Sequence, residues 1–238
     1  MLWELWKNRC GARFDQQYRR PADIIQSIKL YIGFALGKMT FKTDQSLATY
    51  QLLHSYGFTY HTTAKRMKLV RWIPPLVDFY LNVDGASKGN PGICGGGGCI
   101  RDKHGKILLA FANFYGVGNN IIAETRALCD GLRLAHFLGV RLSAIYSDSS
   151  TLVHSIQKGK CSNWHIHHWW RPSRDLLQGK STILSHVFRE TNQVADRLAN
   201  HAISSRCNGI FWGFHRLPYA CKGPLLIDRS GLMNIRLI

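Results

Sequence analysis

Residues 77–92 read Val-Asp-Phe-Tyr-Leu-Asn-Val-Asp-Gly-Ala-Ser-Lys-Gly-Asn-Pro-Gly. The first half alternates apolar and polar side chains and is rich in β-forming residues, which predicts a strand that ends at Asp84. The second half collects Gly, Asn and Pro, which predicts a loop over residues 85–92. This stretch therefore places a carboxylate where a strand passes into a tight loop.

The residues that follow predict an alternation of strands and helices. Two more strands, at 95–101 and 106–115, would complete an antiparallel meander with the first one. The remaining apolar periodicities predict, in order, a helix at 121–138, a strand at 142–147, helices at 149–158 and 166–178, a strand at 182–188 and a helix at 192–203. The order βββαβααβα predicts an α/β fold with a mixed five-stranded sheet and helices on its faces.

The residues on either side of this central region show different sequence patterns. Residues 1–56 show helical spacing in short pieces, and the prolines at 74 and 75 place a linker at 57–76. Residues 204–238 are basic, contain Gly and Pro, and lack sustained periodicity. We therefore predict a helical N-terminal segment with its linker at 1–76, the α/β domain at 77–203, and a basic, partly ordered C-terminal tail at 204–238.

The composition indicates the class of partner. Thirty-one Lys and Arg against fourteen Asp and Glu give a formal charge of +17, which favours a nucleic acid over a membrane surface. The seven cysteines are scattered and odd in number, which argues against a disulfide framework or a zinc ribbon. No apolar run approaches the ~18 residues of a membrane span. We expect a soluble, intracellular and monomeric protein, with nucleus and cytoplasm both open.

Four acids fall at the ends of predicted elements. Asp84 and Asp148 end strands, and Glu124 and Asp196 lie in the first turns of helices. Strand ends and helix starts can meet at one edge of such a sheet, and a nuclease that uses divalent metals needs carboxylates that converge. Each acid taken alone could equally be a turn residue, a helix cap or a dipole-favoured acid. The sequence thus offers a metal site as a hypothesis.

The surroundings of the four acids resemble the type 1 ribonuclease H family, above all the ribonuclease H domain of plant non-LTR retrotransposons. The resemblance spans 77–203 and is carried by four segments: 82–92, Ala-Glu at 123–124, Ser-Asp-Ser at 147–149, and His-Val-Phe-Arg-Glu-Thr-Asn-Gln-Val-Ala-Asp-Arg-Leu-Ala at 186–199. It implies an endonuclease that hydrolyses the RNA strand of RNA·DNA hybrids with two Mg²⁺ ions, or Mn²⁺, and without a small-molecule cofactor. Residues 1–76 would be a remnant of the retroelement region that precedes the ribonuclease H.

The resemblance also implies roles for individual residues. Asp84, Glu124, Asp148 and Asp196 would hold the metals, with Asp84 bridging both ions. His186 would help protons or product to leave, with a structural histidine as the equal alternative. The substrate contacts would come from Gly85, Ala86, Ser87, Asn90, Asn120, Ser149 and Asn192. Ile121 and Ser150 stand where better-known members have Asn and Gln, which puts substrate affinity in doubt.

The segment 158–174 mixes basic residues with Trp164, Trp169 and Trp170, which suits either stacking on nucleic acid or, for the last two, a core position. Zinc held by Cys161 and the histidines at 165, 167 and 168 is disfavoured, because the spacing matches no standard site. Three other functions are less consistent with the sequence. A non-cleaving nucleic-acid-binding remnant would explain the charge, but the four intact acids disfavour it. A 3′–5′ exonuclease should show Asp-x-Glu on the first strand, where this chain has Asp84-Gly-Ala, and an interaction module would leave the four acids unexplained.

Overall fold

The computed structural model describes residues 2–37, 47–55, 67–73, 78–161 and 163–237. These residues form two compact units, divided after residue 66. The first contains helices α1 (Leu2–Phe14), α2 (Pro21–Gly37) and α3 (Leu47–Ser55), which confirms the predicted helical segment. Within it, Arg19 donates to the buried carboxylate of Glu4 at 3.1 Å. The predicted linker at 57–76 lies largely outside the described residues.

The second unit, Met67–Arg236, contains the α/β architecture. Its strands are β1 (Met67–Val70), β2 (Phe79–Gly89), β3 (Gly92–Asp102), β4 (Ile107–Gly118), β5 (Leu142–Ser147), β6 (Ile183–His186), β7 (Gly209–Trp212) and β8 (Asn234–Leu237). Its helices are α4 (Asn120–Phe137), α5 (Ser150–Lys158), α6 (His167–Leu177), α7 (Gln193–Ser205) and α8 (Tyr219–Ser230), and short 3₁₀ turns cover Trp164–Ile166 and Arg189–Thr191. No described helix has the length and apolarity to cross a bilayer.

The main sheet has the order β6-β5-β2-β3-β4-β7, with β5 and β6 parallel to β2 and the other pairs antiparallel. The mixed sheet and the element order are therefore confirmed. The predicted strand count of five was wrong, because β7 pairs with β4 and adds a sixth strand. The two remaining described strands, β1 and β8, pair with each other in a separate sheet.

Residues 204–238 differ from the predicted tail, because they form β7, α8 and β8. Leu217, Cys221 and Leu225 repeat every four residues and are buried against Cys99 and Ile107 of the sheet. Gly223 and Pro224 lie inside α8, and because both residue types usually interrupt helices, the sequence pattern did not predict this helix. The C-terminal region is thus part of the fold.

Helices cover both faces of the sheet. Leu128 and Leu132 of α4 belong to a core with Leu81 of β2, whereas Leu198 of α7 belongs to the core on the other side. A Cβ added at Gly97 of β3 would lie 2.5 Å from the backbone nitrogen of Ala199, so only glycine lets α7 approach the sheet this closely. Asn192, just before α7, lies beside the middle of β2 and donates to the Val83 carbonyl.

Strand β2 does not end at Asp84. It continues to Gly89 because β3 pairs with it along its whole length, with Asp84 opposite Gly97, and the turn is confined to residues 90–91. The predicted loop at 85–92 was therefore wrong. The parallel partner β5 does stop here, since the last paired residues are Val83 and Ser147. Asp84 consequently lies at the edge of the sheet where β2 extends beyond the end of β5.

Candidate active site

Three of the four predicted acids converge at this edge. Asp84 comes from β2, Glu124 from the first turns of α4, and Asp148 directly follows β5. One carboxylate oxygen from each lies within 4.8 Å of the others, and Asp84 and Glu124 are only 4% and 9% exposed. We call these three residues the acidic triad. Such a group of oxygen ligands suits a hard divalent cation such as Mg²⁺ or Mn²⁺.

The electrostatics of the acidic triad also fit a cation. Burial, then repulsion by Glu124 and Asp148, raises the pKa of Asp84 well above its ordinary value. Burial and repulsion by Asp148 likewise raise the pKa of Glu124, although the Gly85 N–H and Arg189 oppose the rise. Carboxylates that repel each other in a buried site are stabilised in their ionised form by a bound metal. The acidic triad therefore favours the binding of a positively charged ion.

Gly85 fixes the position of Glu124. A Cβ at residue 85 would lie 2.1 Å from the backbone nitrogen of Glu124, so β2 can pass the start of α4 only with glycine here. The Gly85 N–H donates to Glu124 Oε2 at 3.2 Å. The backbone N–H that we expected to face the substrate is thus engaged with a carboxylate of the acidic triad.

The side chain of Asn192 holds Asp148 in position. Its side-chain amide donates to the Val83 carbonyl at 2.9 Å and to Asp148 Oδ1 at 3.4 Å, and its oxygen accepts from Asn82 Nδ2 at 3.0 Å. Asn192 has no exposed surface. This corrects the expected substrate contact, because a fully enclosed side chain positions its neighbours instead. Asn82 was missed, although a polar residue within a buried strand was a signal for it.

The fourth acid, Asp196, lies at the rim. Arg189 Nη2 donates to Asp196 Oδ1, and Asp196 does not belong to the acidic triad. Its charge nevertheless contributes to raising the pKa of Asp84, which places the two carboxylates within electrostatic range. Arg189 was not among the predicted site residues. The only indication in the sequence was that Arg189, a positively charged residue, precedes the candidate ligand Asp196 by seven residues.

His186 lies at the end of β6, beside the acidic triad. Its Nε2 is 3.2 Å from the backbone carbonyl of Asp148, and its exposed ring meets Phe188 edge-on, with 6.2 Å between the ring centroids. The ring thus has contacts that suit a structural histidine. Its exposure next to Asp148 equally suits a residue that exchanges protons with solvent.

The other predicted contacts flank the members of the acidic triad in the sequence. Ala86 and Ser87 are half-buried, and Ser87 Oγ lies 3.0 Å from the Gly118 carbonyl. The Asn120 N–H donates to Asn90 Oδ1 at 3.4 Å, which joins the tip of the β2–β3 hairpin to the start of α4. The half-buried Ser149 donates its N–H to the Ser147 hydroxyl at 3.1 Å.

The tryptophans of 158–174 divide between core and surface. Trp170 is 6% exposed and donates to Ser155 Oγ, so it is a core residue, whereas Trp164 is 79% exposed. The Arg126 guanidinium lies 4.9 Å from the centre of the half-buried Trp169 ring. Among the described residues, no metal-compatible group includes Cys161 or the neighbouring histidines.

Comparison with known proteins agrees with this architecture. A Mycobacterium tuberculosis N-terminal RNase H domain, solved as a fusion with maltose-binding protein, is 30% identical, covers 53% of this chain and 94% of that one, and superimposes with a TM-score of 0.50. The structure of LC11-RNase H1 in complex with an RNA/DNA hybrid is 25% identical, with coverages of 54% and 98% and a TM-score of 0.50.

A relative from Arabidopsis thaliana, provisionally named a ribonuclease H protein, is 27% identical over 97% of this chain. This chain spans only 35% of the length of that protein.

The fold and the acidic triad define a type 1 ribonuclease H domain. The profile of the reverse transcriptase-like family matches residues 82–202, which is half of the chain, and the chain belongs to that family.

Proposed function

We propose that this protein is a divalent-metal-dependent endonuclease that cuts the RNA strand of RNA·DNA hybrids. The observation that carries the proposal is the convergence of three carboxylates, two of them buried, whose mutual repulsion a bound cation would relieve. The two similar RNase H structures support it, since one of them was solved with an RNA/DNA hybrid.

We infer that Asp84, Glu124 and Asp148, with Asp196 at the rim, would hold two Mg²⁺ ions, with Mn²⁺ as the alternative. The ions would supply an activated water and neutralise charge on the phosphate, and hydrolysis would leave 5′-phosphate and 3′-hydroxyl ends. The protein supplies the arrangement: the Gly85 N–H orients Glu124, Asn192 orients Asp148, and His186 exchanges protons at the rim. Arg189 holds one carboxylate oxygen of Asp196, Oδ1, so a metal would use the other oxygen or displace the guanidinium.

The preference for RNA requires contacts to the 2′-hydroxyl, the group that distinguishes ribose from deoxyribose. Ala86, Ser87, Asn90, Asn120 and Ser149 flank the members of the acidic triad in the sequence and would supply them. Trp164 and Trp169 add aromatic surface that suits stacking. The basic surface of the chain holds the phosphate backbone.

A binding protein that does not cut is the second candidate. The ion pair between Arg189 and Asp196 favours it, since it neutralises the fourth expected ligand.

Under either function, we infer descent from a plant retroelement. The Arabidopsis relative, which matches 97% of this chain, supports the plant part of this inference, and the match to the reverse transcriptase-like family supports the retroelement part.

The substrate is tested with labelled RNA·DNA hybrid, double-stranded RNA and double-stranded DNA, each incubated with Mg²⁺, Mn²⁺ or EDTA. We expect cleavage of the RNA strand of the hybrid with either metal and none in EDTA. Binding of the hybrid without cleavage would favour the second candidate. Cleavage in EDTA, or equal cleavage of all three duplexes, would contradict the proposal.

A further inference from the structure

A second cluster of charge lies in the same unit, away from the acidic triad. A cavity of about 430 Å³ opens beside the β3–β4 turn, and three of its eight lining residues are Lys or Arg. Asp228, in its wall, bonds to Arg101, which pairs with Tyr80 at the start of β2. Tyr80 and Asp84 are four residues apart, or roughly 13 Å along the strand. The cavity, which we call the basic cavity, is therefore separate from the candidate active site.

The charge of the basic cavity is positive. Arg71, Lys103 and Arg229 are exposed, and none of them forms an ion pair with a described residue. The carboxylate of Asp228 is already compensated, because Arg101 donates to it at 2.8 Å and both side chains are almost fully enclosed. The C-terminal end of α8 adds a partial negative charge of about −0.5. Three full positive charges outweigh it.

Asp102 is the other carboxylate at this turn. Its Oδ1 accepts the backbone N–H groups of His104 and Lys106, at 2.9 and 2.8 Å. One of its oxygens is thus occupied by the turn itself. His104 also lines the basic cavity.

The wall of the basic cavity includes a buried donor that lacks an acceptor. Trp72 is 8% exposed, and its Nε1 has no hydrogen-bond partner among the described residues. The guanidinium of Arg101, 5.6 Å from the Trp72 ring, is fully buried and leaves Nη2 similarly unpartnered within the part of the chain that the structure describes. Buried donors are nearly always satisfied in native proteins. Arg101 can use the hydroxyl of Tyr80, its partner across the β2–β3 ladder, which is equally unpartnered among the described residues, so the Trp72 N–H, in the wall of the basic cavity, is the donor that points to a ligand with acceptor oxygens.

We propose that the basic cavity binds a phosphate group. A phosphate has several acceptor oxygens and a charge that matches two arginines and a lysine. The same group is present in a nucleic-acid backbone and in free phosphate or a nucleotide. Arg71, Trp72, Asp228 and Arg229 lie outside the segment 82–202 that defines the family, so the flanks of the domain build this site. The proposal does not depend on the proposed nuclease activity.

The test uses the full chain with ¹⁵N-labelled tryptophan, which gives seven indole N–H signals, and Trp72→Phe assigns the one of interest. Inorganic phosphate, sodium chloride at equal ionic strength, and a short single-stranded oligonucleotide without a terminal phosphate are titrated in turn. We expect the Trp72 signal to shift saturably with phosphate or with the oligonucleotide, and not with chloride. A lower midpoint for the oligonucleotide identifies a nucleic-acid backbone as the ligand, and a response to phosphate alone identifies a free anion.

Two triple variants with equal loss of charge localise the effect. R71Q/K103Q/R229Q should need at least tenfold more phosphate or oligonucleotide to reach the midpoint, whereas K7Q/R9Q/K29Q, changed at exposed positions of α1 and α2, should behave like the wild type. Equal midpoints in the two variants, or no shift with any phosphate-bearing titrant, would overturn the proposal. If the first triple variant does not fold, R71Q and K103Q singly should each raise the midpoint about threefold.

Discussion

At the scale of single residues, Gly85 decides whether the acidic triad can form. The Cβ of Gly85→Ala would lie 2.1 Å from the backbone of α4, which must move with Glu124 on it. We expect a loss of about 1–3 kcal/mol in unfolding free energy, measured by urea denaturation, because backbone cannot yield as a flexible side chain does. The matched control is Gly223→Ala in α8, where an added Cβ meets nothing within 4 Å and stability should rise slightly. Equal effects of the two changes would refute the close approach.

The raised pKa of Asp84 predicts how stability depends on pH. Because this pKa lies above the ordinary value of 3.8, the folded metal-free protein favours the protonated form, and stability is lost as pH rises through the folded pKa. Asp84→Asn removes the charge. In EDTA at pH 8 we expect this variant to melt above the wild type, by about 2–4 °C for each kcal/mol of relieved repulsion.

This difference in melting temperature should shrink as the pH approaches 4, where the wild-type carboxyl is protonated. Asp175→Asn, at an exposed position of α6, should show no such dependence. A variant that melts below the wild type at pH 8 would show that the carboxylates do not repel each other in the folded protein.

At the scale of elements, sequence periodicity was sufficient for the order of strands and helices from β2 to α7, because each element alternates or repeats its own apolar residues. Periodicity did not predict features that depend on contacts between residues far apart in the sequence. β2 continues past Asp84 because β3 pairs with it, and Asn192 faces inward because Asn82 and Val83 bind it across the fold. Local patterns carry no information on such pairings.

The element that periodicity missed, α8, predicts a measurable dependence of stability on Asp228. Its carboxylate is the partner of Arg101, which is fully buried in β3. Asp228→Ala would leave an unpaired buried charge and should cost about 3–5 kcal/mol, measured by denaturant unfolding. Asp175→Ala, which removes an exposed acid, should change stability by less than about 0.5 kcal/mol.

The double change Arg101→Met with Asp228→Leu tests the same ion pair from the other side. It replaces both charges by apolar side chains and should recover most of the lost stability. A small effect of Asp228→Ala alone would show that α8 contributes little to the fold.

At the scale of the whole molecule, the charge of +17 predicts how substrate binding responds to salt. Phosphate contacts release counterions, so the affinity of the non-cleaving Asp84→Asn variant for an RNA·DNA hybrid should fall steeply between 50 and 200 mM salt, by about 10³-fold if six phosphates are contacted. Fluorescence anisotropy of a labelled hybrid measures this. A flat response would contradict the assignment of the basic surface to nucleic acid.

The central claim is that the acidic triad cuts the RNA strand of a hybrid. Single-turnover cleavage of a labelled hybrid in Mg²⁺ tests it most directly, with the wild type, Asp84→Asn and Asp175→Asn compared at equal concentration. We expect a rate constant about a thousandfold lower or more for Asp84→Asn, equivalent to at least ~4 kcal/mol of transition-state stabilisation, and an unchanged rate for Asp175→Asn. Undiminished cleavage by Asp84→Asn would contradict it.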